Sequence, residues 1–304
     1  MPERRAFLFP GQGSQFVGMA YDLYSREPLA RERFREANEV LGFDLAKICF
    51  SGPAEELQLT ANAQPAILVH SVIAYELLRA RGITPVAMVG HSLGEYSALV
   101  ASGCMPFADA VRMVHLRGCF MQEAVPVGVG AMAAVLGLDS TQVELACVEV
   151  IDEGVVQPAN YNCPGQIVIS GHAAAVRRAM ARCLEHGAMK VVELPVSAPF
   201  HSALMAPAAE RLQPELYNVT FSDMQVPVIS NVEAKPLGSK VRVPKLLVDQ
   251  VTAPVRWQES VQALIHLGVE SVVEVGPGKV LSALMRRIDR KVKVVELNEL
   301  LGAA

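Results

Sequence analysis

The sequence predicts an α/β protein made of two units: a larger one around a buried parallel sheet, and a smaller α+β unit inserted into it. Three observations carry this reading. The short, fully apolar run PVAMVG (residues 85–90) and the mainly apolar SVVEV (271–275) alternate with longer helix-like segments, the texture of strands covered on both faces. Near residue 125 a Gly/Pro/Val stretch, PVGVG, gives way to a β-α-β-β-α-β series, the split βαβ or ferredoxin-like arrangement. After that series the first texture returns. The expected division is 1–126 with 198–304 for the larger, discontinuous unit and 127–197 for the smaller.

The elements follow in order. RRAFLF (4–9) reads as a strand ended by PGQGSQ. PLARERFREANEVLG (28–42) reads as a helix with Phe34, Ala37 and Leu41 on one face, and GPAEELQLT (52–60) as a short helix start. NAQPAILVHSVIAYELLRARG (62–82) is a long apolar helix closed by Gly82. PVAMVG is a strand, SLGEYSALVASG (92–103) a helix, and PFADAVRMVHLRGCFMQEA (106–124) another, with Pro106 suited to its first turn.

In the smaller unit GAMAAVLGL (130–138) reads as a strand and STQVELACVEV (140–150) as a helix. VVQPANYN and QIVISG are strands around a CPG turn, HAAAVRRAMARCLEHG (172–187) is a helix, and AMKVVELPV (188–196) a last strand. Beyond it come a helix around 201–213, the strand PVISN (227–231), helices at 244–250 and 257–267, and the strand SVVEVGPG (271–278).

Composition narrows the function. With 304 residues, about half of them apolar, the chain has material for a sizeable core. A net charge of −4 gives no bulk attraction to nucleic acid or anionic lipid. The apolar run that follows MPERR is too short for a signal-peptide core. The longest apolar segment, AILVHSVIAYELL, falls short of the roughly 20 residues of a bilayer span. The expectation is a cytoplasmic protein with no membrane or nucleic-acid partner. Six scattered cysteines form no CxxC pair, and the seven histidines lack metal spacing, so free thiols and no metal are expected.

One motif carries chemistry. GHSLG (90–94) matches G-x-S-x-G, a strand-to-helix elbow that exposes its serine and aims the following helix's N–H groups at it. Ser92 is therefore a candidate nucleophile, with helix capping as the plainer role. A serine nucleophile needs a base. His201, in PVSAPFHSALM, lies downstream in a loop; His91 adjoins the serine, and His70 and His115 sit within long helices and read as structural. PGQGSQ, at the end of the first strand, offers backbone N–H groups near a ligand but is not a dinucleotide fingerprint, because position 16 is Phe16. Arg117 falls on an apolar helical stripe with Ala110, Met113, Val114 and Met121. Such an arginine needs an anion, either a structural one such as Asp109 or Glu123, or a substrate carboxylate.

FPGQGSQFVGM, QPAI (64–67), GHSLGEYSALV, RGCFMQEAVP, the NCPGQIVISG run (162–171) and APFHSALM together carry a resemblance over nearly the whole chain. The sequence resembles the malonyl-CoA:acyl-carrier-protein transacylase family of bacterial fatty-acid synthesis, whose fold and motifs are shared by the acyltransferase domains of polyketide synthases. The resemblance implies an α/β-hydrolase-like larger unit with Ser92 as acyl-accepting nucleophile and His201 as base. It implies that Arg117 grips the malonyl carboxylate, that the Gln12 and Leu93 amides form the oxyanion hole, and that the Gln250 backbone carbonyl orients the imidazole. Gln64, Asn162 and Phe200 would line the site, and Phe200 would crowd an α-methyl branch.

It further implies malonyl-CoA as substrate and acyl carrier protein as partner, the carrier bringing its own phosphopantetheine. No cofactor of the enzyme's own and a monomer are expected. An acidic carrier could dock on RRIDRKVK (286–293) or on Arg177, Arg178, Arg182 and Lys190. A neutral carbonyl behind the histidine would leave it a weak activator of water, and a carboxylate placed at position 250 is the expected probe of that idea. Three rivals stand beside this reading: a serine esterase or thioesterase, a non-catalytic carrier-docking module, and a discrete acyltransferase of a polyketide assembly line.

Overall fold

The computed structural model describes residues 3–196 and 198–302. The expected break at residue 197 lies outside the described residues. Nine strands are formed among those described, in two sheets. The first sheet holds β1 (Arg5–Phe9), β2 (Ala87–Gly90), β7 (Val228–Ile229), β8 (Ser271–Glu274) and β9 (Lys293–Val295). Their order is β7-β2-β1-β8-β9 and every pairing is parallel. The second sheet holds β3 (Gly130–Leu136), β4 (Val156–Cys163), β5 (Gln166–His172) and β6 (Lys190–Glu193). It is antiparallel, in the order β4-β5-β3-β6.

The parallel sheet explains its own sequence. Ala6, Phe7, Leu8 and Phe9 are all fully buried, as are Ala87, Met88 and Val89, because helices cover both faces. Parallel strands place their carboxyl ends along one edge, where the following loops line a crevice. β1 and β2 are neighbours in register, Phe9 opposite Gly90, so PGQGSQ and HSLG leave the sheet side by side. The helix Thr60–Ala80 is buried nearly all round, as its uniform hydrophobicity requires. The helix Phe107–Glu123 packs against it at Gly118, where a Cβ would stand 2.7 Å from the Ala61 Cα. That close approach sets the depth of Arg117, one residue earlier.

On the antiparallel sheet, the helices Ser140–Val148 and Ala173–Glu185 build a separate small core with Val143, Ala146, Val176, Ala179 and Cys183. The Asp139 carboxylate and Gln142 form a capping box at the first of these helices. Strand β4 is tied to the rest of the chain at Val255, which lies outside both sheets: the Val255 amide donates to the Ala159 carbonyl (2.8 Å) and the Tyr161 amide to the Val255 carbonyl (3.0 Å).

Several expectations shift. Pro106 is the residue before its helix, not part of the first turn. The elbow helix begins at Gly94, after the serine. The segment near 201–213 is a short 3-10 turn (Ala203–Met205) followed by the helix Ala206–Tyr217. PVISN contributes only two strand residues, since Ser230 and Asn231 turn away. The helices Tyr21–Arg26, Leu45–Ser51, Val280–Ile288 and Leu297–Leu301, and strand β9, are additions to the sequence reading. All six cysteines are free, five buried and Cys119 half-buried. Among the described residues no helix is long and apolar enough to cross a membrane, and no cluster of three or more His, Cys, Asp or Glu could hold a metal.

Candidate active site

Ser92 sits where β2 ends, with a left-handed backbone (φ 52°), a strained conformation for a residue with a side chain. The flanking glycines are steric necessities. A Cβ at Gly90 would lie 1.8 Å from the Gly94 carbonyl carbon, and one at Gly94 would lie 2.0 Å from the Phe9 carbonyl oxygen. The elbow is held from outside by Asn231, whose Oδ1 accepts from the Ser92 amide (2.7 Å) and whose Nδ2 donates to the Gly90 carbonyl (2.7 Å).

His201 also has a positive φ (57°) and is buried. Its Nδ1 faces two acceptors, the carbonyls of Gln250 (2.9 Å) and Ala253 (3.2 Å), so Nδ1 carries the proton. Nε2 is left as an acceptor 2.7 Å from the Ser92 Oγ. Burial, then the nearby Arg117 charge, pushes the imidazole down to about 3, which keeps it neutral and ready to take a proton. His91 turns away: its Nε2 meets Asn162 Oδ1 at 2.9 Å, and its ring packs against Trp257.

Arg117 is buried beside the same serine. One guanidinium nitrogen donates to Ser92 Oγ (3.0 Å) and to Gln250 Oε1 (3.0 Å), and the other terminal nitrogen to Gln64 Oε1 (2.8 Å). Neither acid named as a structural alternative reaches it; Glu123 pairs with Arg211 instead. Its hydrogen-bond partners are thus neutral, and the Tyr96 ring stands 5.7 Å away. A buried cation held by neutral oxygens is prepared for an incoming anion.

These residues open onto a cavity of about 440 Å³. Gln12, Gln64, Ser92, Leu93, Arg117, Phe200 and His201 all line it. The Gln12 side chain donates to Thr60 Oγ1 (3.1 Å). Asn162 departs from expectation. It lines a smaller space of about 180 Å³ beyond His91, while Asn160 borders both cavities. The reason is the register irregularity of β4 between Tyr161 and Cys163, together with the hydrogen bond that turns Asn162 to His91. Position 250 also behaves differently from what was expected: its carbonyl faces His201, but its side chain points at Arg117 and Glu95, so a carboxylate there would not stand behind the imidazole.

Three contributors escaped the sequence reading. Asn231 was only the last letter of a strand. The Gln250 side chain donates to the Ser92 carbonyl (3.1 Å) and Glu95 Oε2 (2.7 Å). Glu95 is fully buried, and burial pushes its carboxyl up to about 7. The available signal was an acidic residue inside the otherwise apolar run GEYSALVA.

A family model described as the acyl transferase domain matches residues 6–304. The chain is 50% identical over 295 residues to the malonyl CoA-acyl carrier protein transacylase of Bacillus subtilis, covering 97% of this chain and 93% of that one. It is likewise 50% identical to the malonyl CoA-acyl carrier protein transacylase of Escherichia coli, over 97% and 96% of the two chains. The fold matches the crystal structure of an acyl carrier protein S-malonyltransferase from Vibrio cholerae with a TM-score of 0.95 at 44% identity, over 97% and 96% of the chains. It also matches, with a TM-score of 0.96 at 44% identity over 99% of each chain, a malonyl-transacylase solved with its type II PKS acyl-carrier protein.

Proposed function

The chain belongs to the acyl transferase domain family, and on that premise we propose that it moves malonyl from malonyl-CoA to the phosphopantetheine thiol of acyl carrier protein, supplying fatty-acid synthesis. The observation that carries this is one oxygen with two partners: Ser92 Oγ lies 2.7 Å from a neutral imidazole and 3.0 Å from a buried guanidinium. The first makes the serine a nucleophile; the second selects an acyl group with a carboxylate.

The reaction runs in two halves. His201 Nε2 takes the Ser92 proton as Oγ attacks the thioester carbon, and Arg117 receives the malonyl carboxylate. The oxyanion rests on the Gln12 and Leu93 amides, each such donor worth roughly 3 kcal/mol where one has been removed. His201 returns its proton to the departing CoA thiolate, leaving malonyl esterified to Ser92. The carrier's thiol then gives its proton to His201 and attacks the ester carbon. The bond from that carbon to Ser92 Oγ breaks, His201 returns the proton to Oγ, and the carrier leaves as the malonyl thioester, a ping-pong scheme. Two carbonyls, not a carboxylate, back the imidazole. The resulting imidazolium is weakly stabilised, which favours the acidic thiol over water as second acceptor.

The same reading makes the parallel-sheet part α/β-hydrolase-like and the antiparallel insert ferredoxin-like, with division near 127 and 197; the strand order β4-β5-β3-β6 supports the latter. The enzyme is read as a cytoplasmic monomer needing no cofactor of its own. Carrier docking falls to one of two basic clusters, each partly paired within the chain. One is 286–293, where Arg286 meets Glu296 and Arg287 meets Gln166; the other is Arg177, Arg178, Arg182 and Lys190, where Arg177 meets Glu193 and Arg182 meets Glu185. A polyketide carrier is the second reading, favoured by the match to a transacylase bound to a type II PKS carrier.

Intact-protein mass spectrometry tests the assignment. Malonyl-CoA should leave a malonyl adduct that requires Ser92, and holo carrier should remove it while gaining the same mass. Loss of the adduct to free malonate in the presence of carrier would instead mark a thioesterase, and absence of any adduct would return the docking module. Comparing fatty-acid and polyketide carriers in the second step separates the two pathways.

A further inference from the structure

Beneath the reacting atoms lies a buried acid that the mechanism above does not use. Glu95 occupies the first turn of the helix Gly94–Ala101, where the helix dipole favours a carboxylate, and it is fully buried. Its Oε2 accepts from Gln250 Nε2 (2.7 Å) and from the Asn231 amide (3.2 Å), while Oε1 meets no donor among the described residues. Both donors belong to the site. Asn231 holds the Ser92 amide, and Gln250 holds Arg117.

We propose that Glu95 is a positioning residue for acyl selection: by fixing which way the Gln250 amide points, it aims Arg117 at the carboxylate end of the acyl group. The proposal rests on the reading of Arg117 as the carboxylate clamp. Its physical core is the polarity of a primary amide, a donor at one end and an acceptor at the other. In the observed orientation Nε2 faces two acceptors, Glu95 Oε2 and the Ser92 carbonyl, and Oε1 faces the Arg117 guanidinium. Turning the amide over would set N–H against N–H at Arg117 and oxygen against oxygen at both other contacts. With Glu95 replaced by an apolar side chain of similar length, the strongest acceptor on Nε2 is gone, and the Ser92 carbonyl and the Arg117 guanidinium are left to oppose that reversal.

The interposed amide has a second consequence. A carboxylate in direct contact with Arg117 would satisfy the guanidinium and compete with the substrate. Here the acid acts through a neutral group, so the clamp is oriented while its charge stays available. Arg117 Nε, which has no partner among the described residues, fits a cation that is not yet fully engaged.

The test compares kcat/KM for malonyl-CoA with kcat/KM for acetyl-CoA, whose acyl group lacks the second carboxylate. Glu95→Met removes the acceptor at similar length, and its malonyl-to-acetyl ratio should fall on the order of tenfold, the value of one charge-assisted hydrogen bond. Glu95→Gln keeps an acceptor for Gln250 Nε2 and should restore most of the ratio. Equal losses on both substrates would reduce Glu95 to a structural acid and overturn the proposal. If Glu95→Met does not fold, Gln250→Met cuts the same link, and an unchanged ratio there overturns it equally. Arg117→Ala separates the two levels: a variant that keeps its malonyl preference defeats the clamp reading and this proposal together. Loss of preference in Arg117→Ala beside full preference in Glu95→Met defeats only the proposal.

Discussion

The cavity has two unlike sides. Its floor, from the parallel-sheet part of the chain, holds Ser92, His201, Arg117 and Gln64, and their polar atoms bond to one another and to Asn231, Gln250 and Glu95 in a continuous buried network. Its opposite wall, from the antiparallel sheet and the segment that follows β6, is mainly apolar: Met132, Leu194, Pro195 and Val196, with Asn160 at the edge. Polar links from wall to floor run through Gln157, which reaches the His201 carbonyl at 3.4 Å, and through Asn162 to His91. A buried hydrogen-bonded network specifies one geometry, because each member that moves strands another; an apolar wall specifies only a shape. The floor therefore determines which reaction occurs, and the wall determines what fits and how well.

That contrast is sharpest in the size of the effects expected on each side. Ser92→Ala or His201→Ala should lower turnover on the order of 10⁴-fold or more, as for other hydroxyl–imidazole pairs, with an unchanged circular dichroism spectrum. A folded variant with a tenth of normal activity would end the assignment of these two residues. Arg117→Ala should lower kcat/KM for malonyl-CoA about a hundredfold, the loss of a charge-assisted clamp in a dry site. It has a second signature. The Arg117 charge helps push His201 down to about 3, so the acidic limb of the pH–kcat/KM profile should lie far below 6.5 in the wild type and move upward in the variant. The move is partial, since burial is the larger cause and remains.

Changes at the rim and the wall should be smaller. Phe200 lines the cavity next to His201. Phe200→Ala should raise the methylmalonyl-to-malonyl rate ratio about tenfold, the discrimination that one methyl group commonly supplies. Unchanged selectivity would mean that the ring does not crowd the α-carbon. Leu194→Ala, on the wall, should raise KM for the acyl donor about fivefold through lost apolar contact, leaving kcat near its starting value. A kcat loss as large as that of a floor variant would show that wall and floor are not separable.

The sequence was most readable where chemistry and local geometry coincide. The central strands β1 and β2 are nearly continuous apolar runs, and helices such as Pro28–Leu41 carry an apolar period. Most of the helices that went unread are short: Tyr21–Arg26, Leu45–Ser51 and Leu297–Leu301 hold less than two turns each, too few for a repeating face to emerge, with the nine-residue helix Val280–Ile288 the exception. Ser92 was readable because a tight elbow needs Gly90 and Gly94, and Arg117 because a cation on an apolar stripe is conspicuous. His201 as base and the Gln250 carbonyl came from the family resemblance; spacing alone left His201 one candidate among several. Asn231 and the Gln250 side chain left no local trace, since they reach the elbow from positions 139 and 158 residues beyond Ser92. Asn162 came from the family resemblance, and alternation would have put Asn160 on the same face; the register irregularity between Tyr161 and Cys163 separates the two.

The smallest effect is thermodynamic and isolates the floor from catalysis altogether. His201 and Glu95 titrate in opposite senses over overlapping ranges. His201 falls from 6.5 to about 3 on folding, so its contribution to stability is complete above 6.5 and is lost as pH drops toward 3. Glu95 rises from 4.5 to about 7, so its contribution is complete below 4.5 and is lost as pH climbs through 7. Between these limits one loss masks the other, and a plain pH–stability curve of the wild type reveals neither. Glu95→Gln removes the second and leaves the first. The urea midpoint of the variant relative to the wild type should therefore increase as pH rises from about 4.5 to 7 and level off above, where Glu95 is fully ionised in both folded and unfolded chains. A difference that stays flat across this range would mean that Glu95 ionises in the folded protein as readily as in water. The carboxylate would then be compensated within the network despite its burial, and the Gln250 and Asn231 donors, with the Arg117 charge behind them, would be stronger partners than their geometry alone implies.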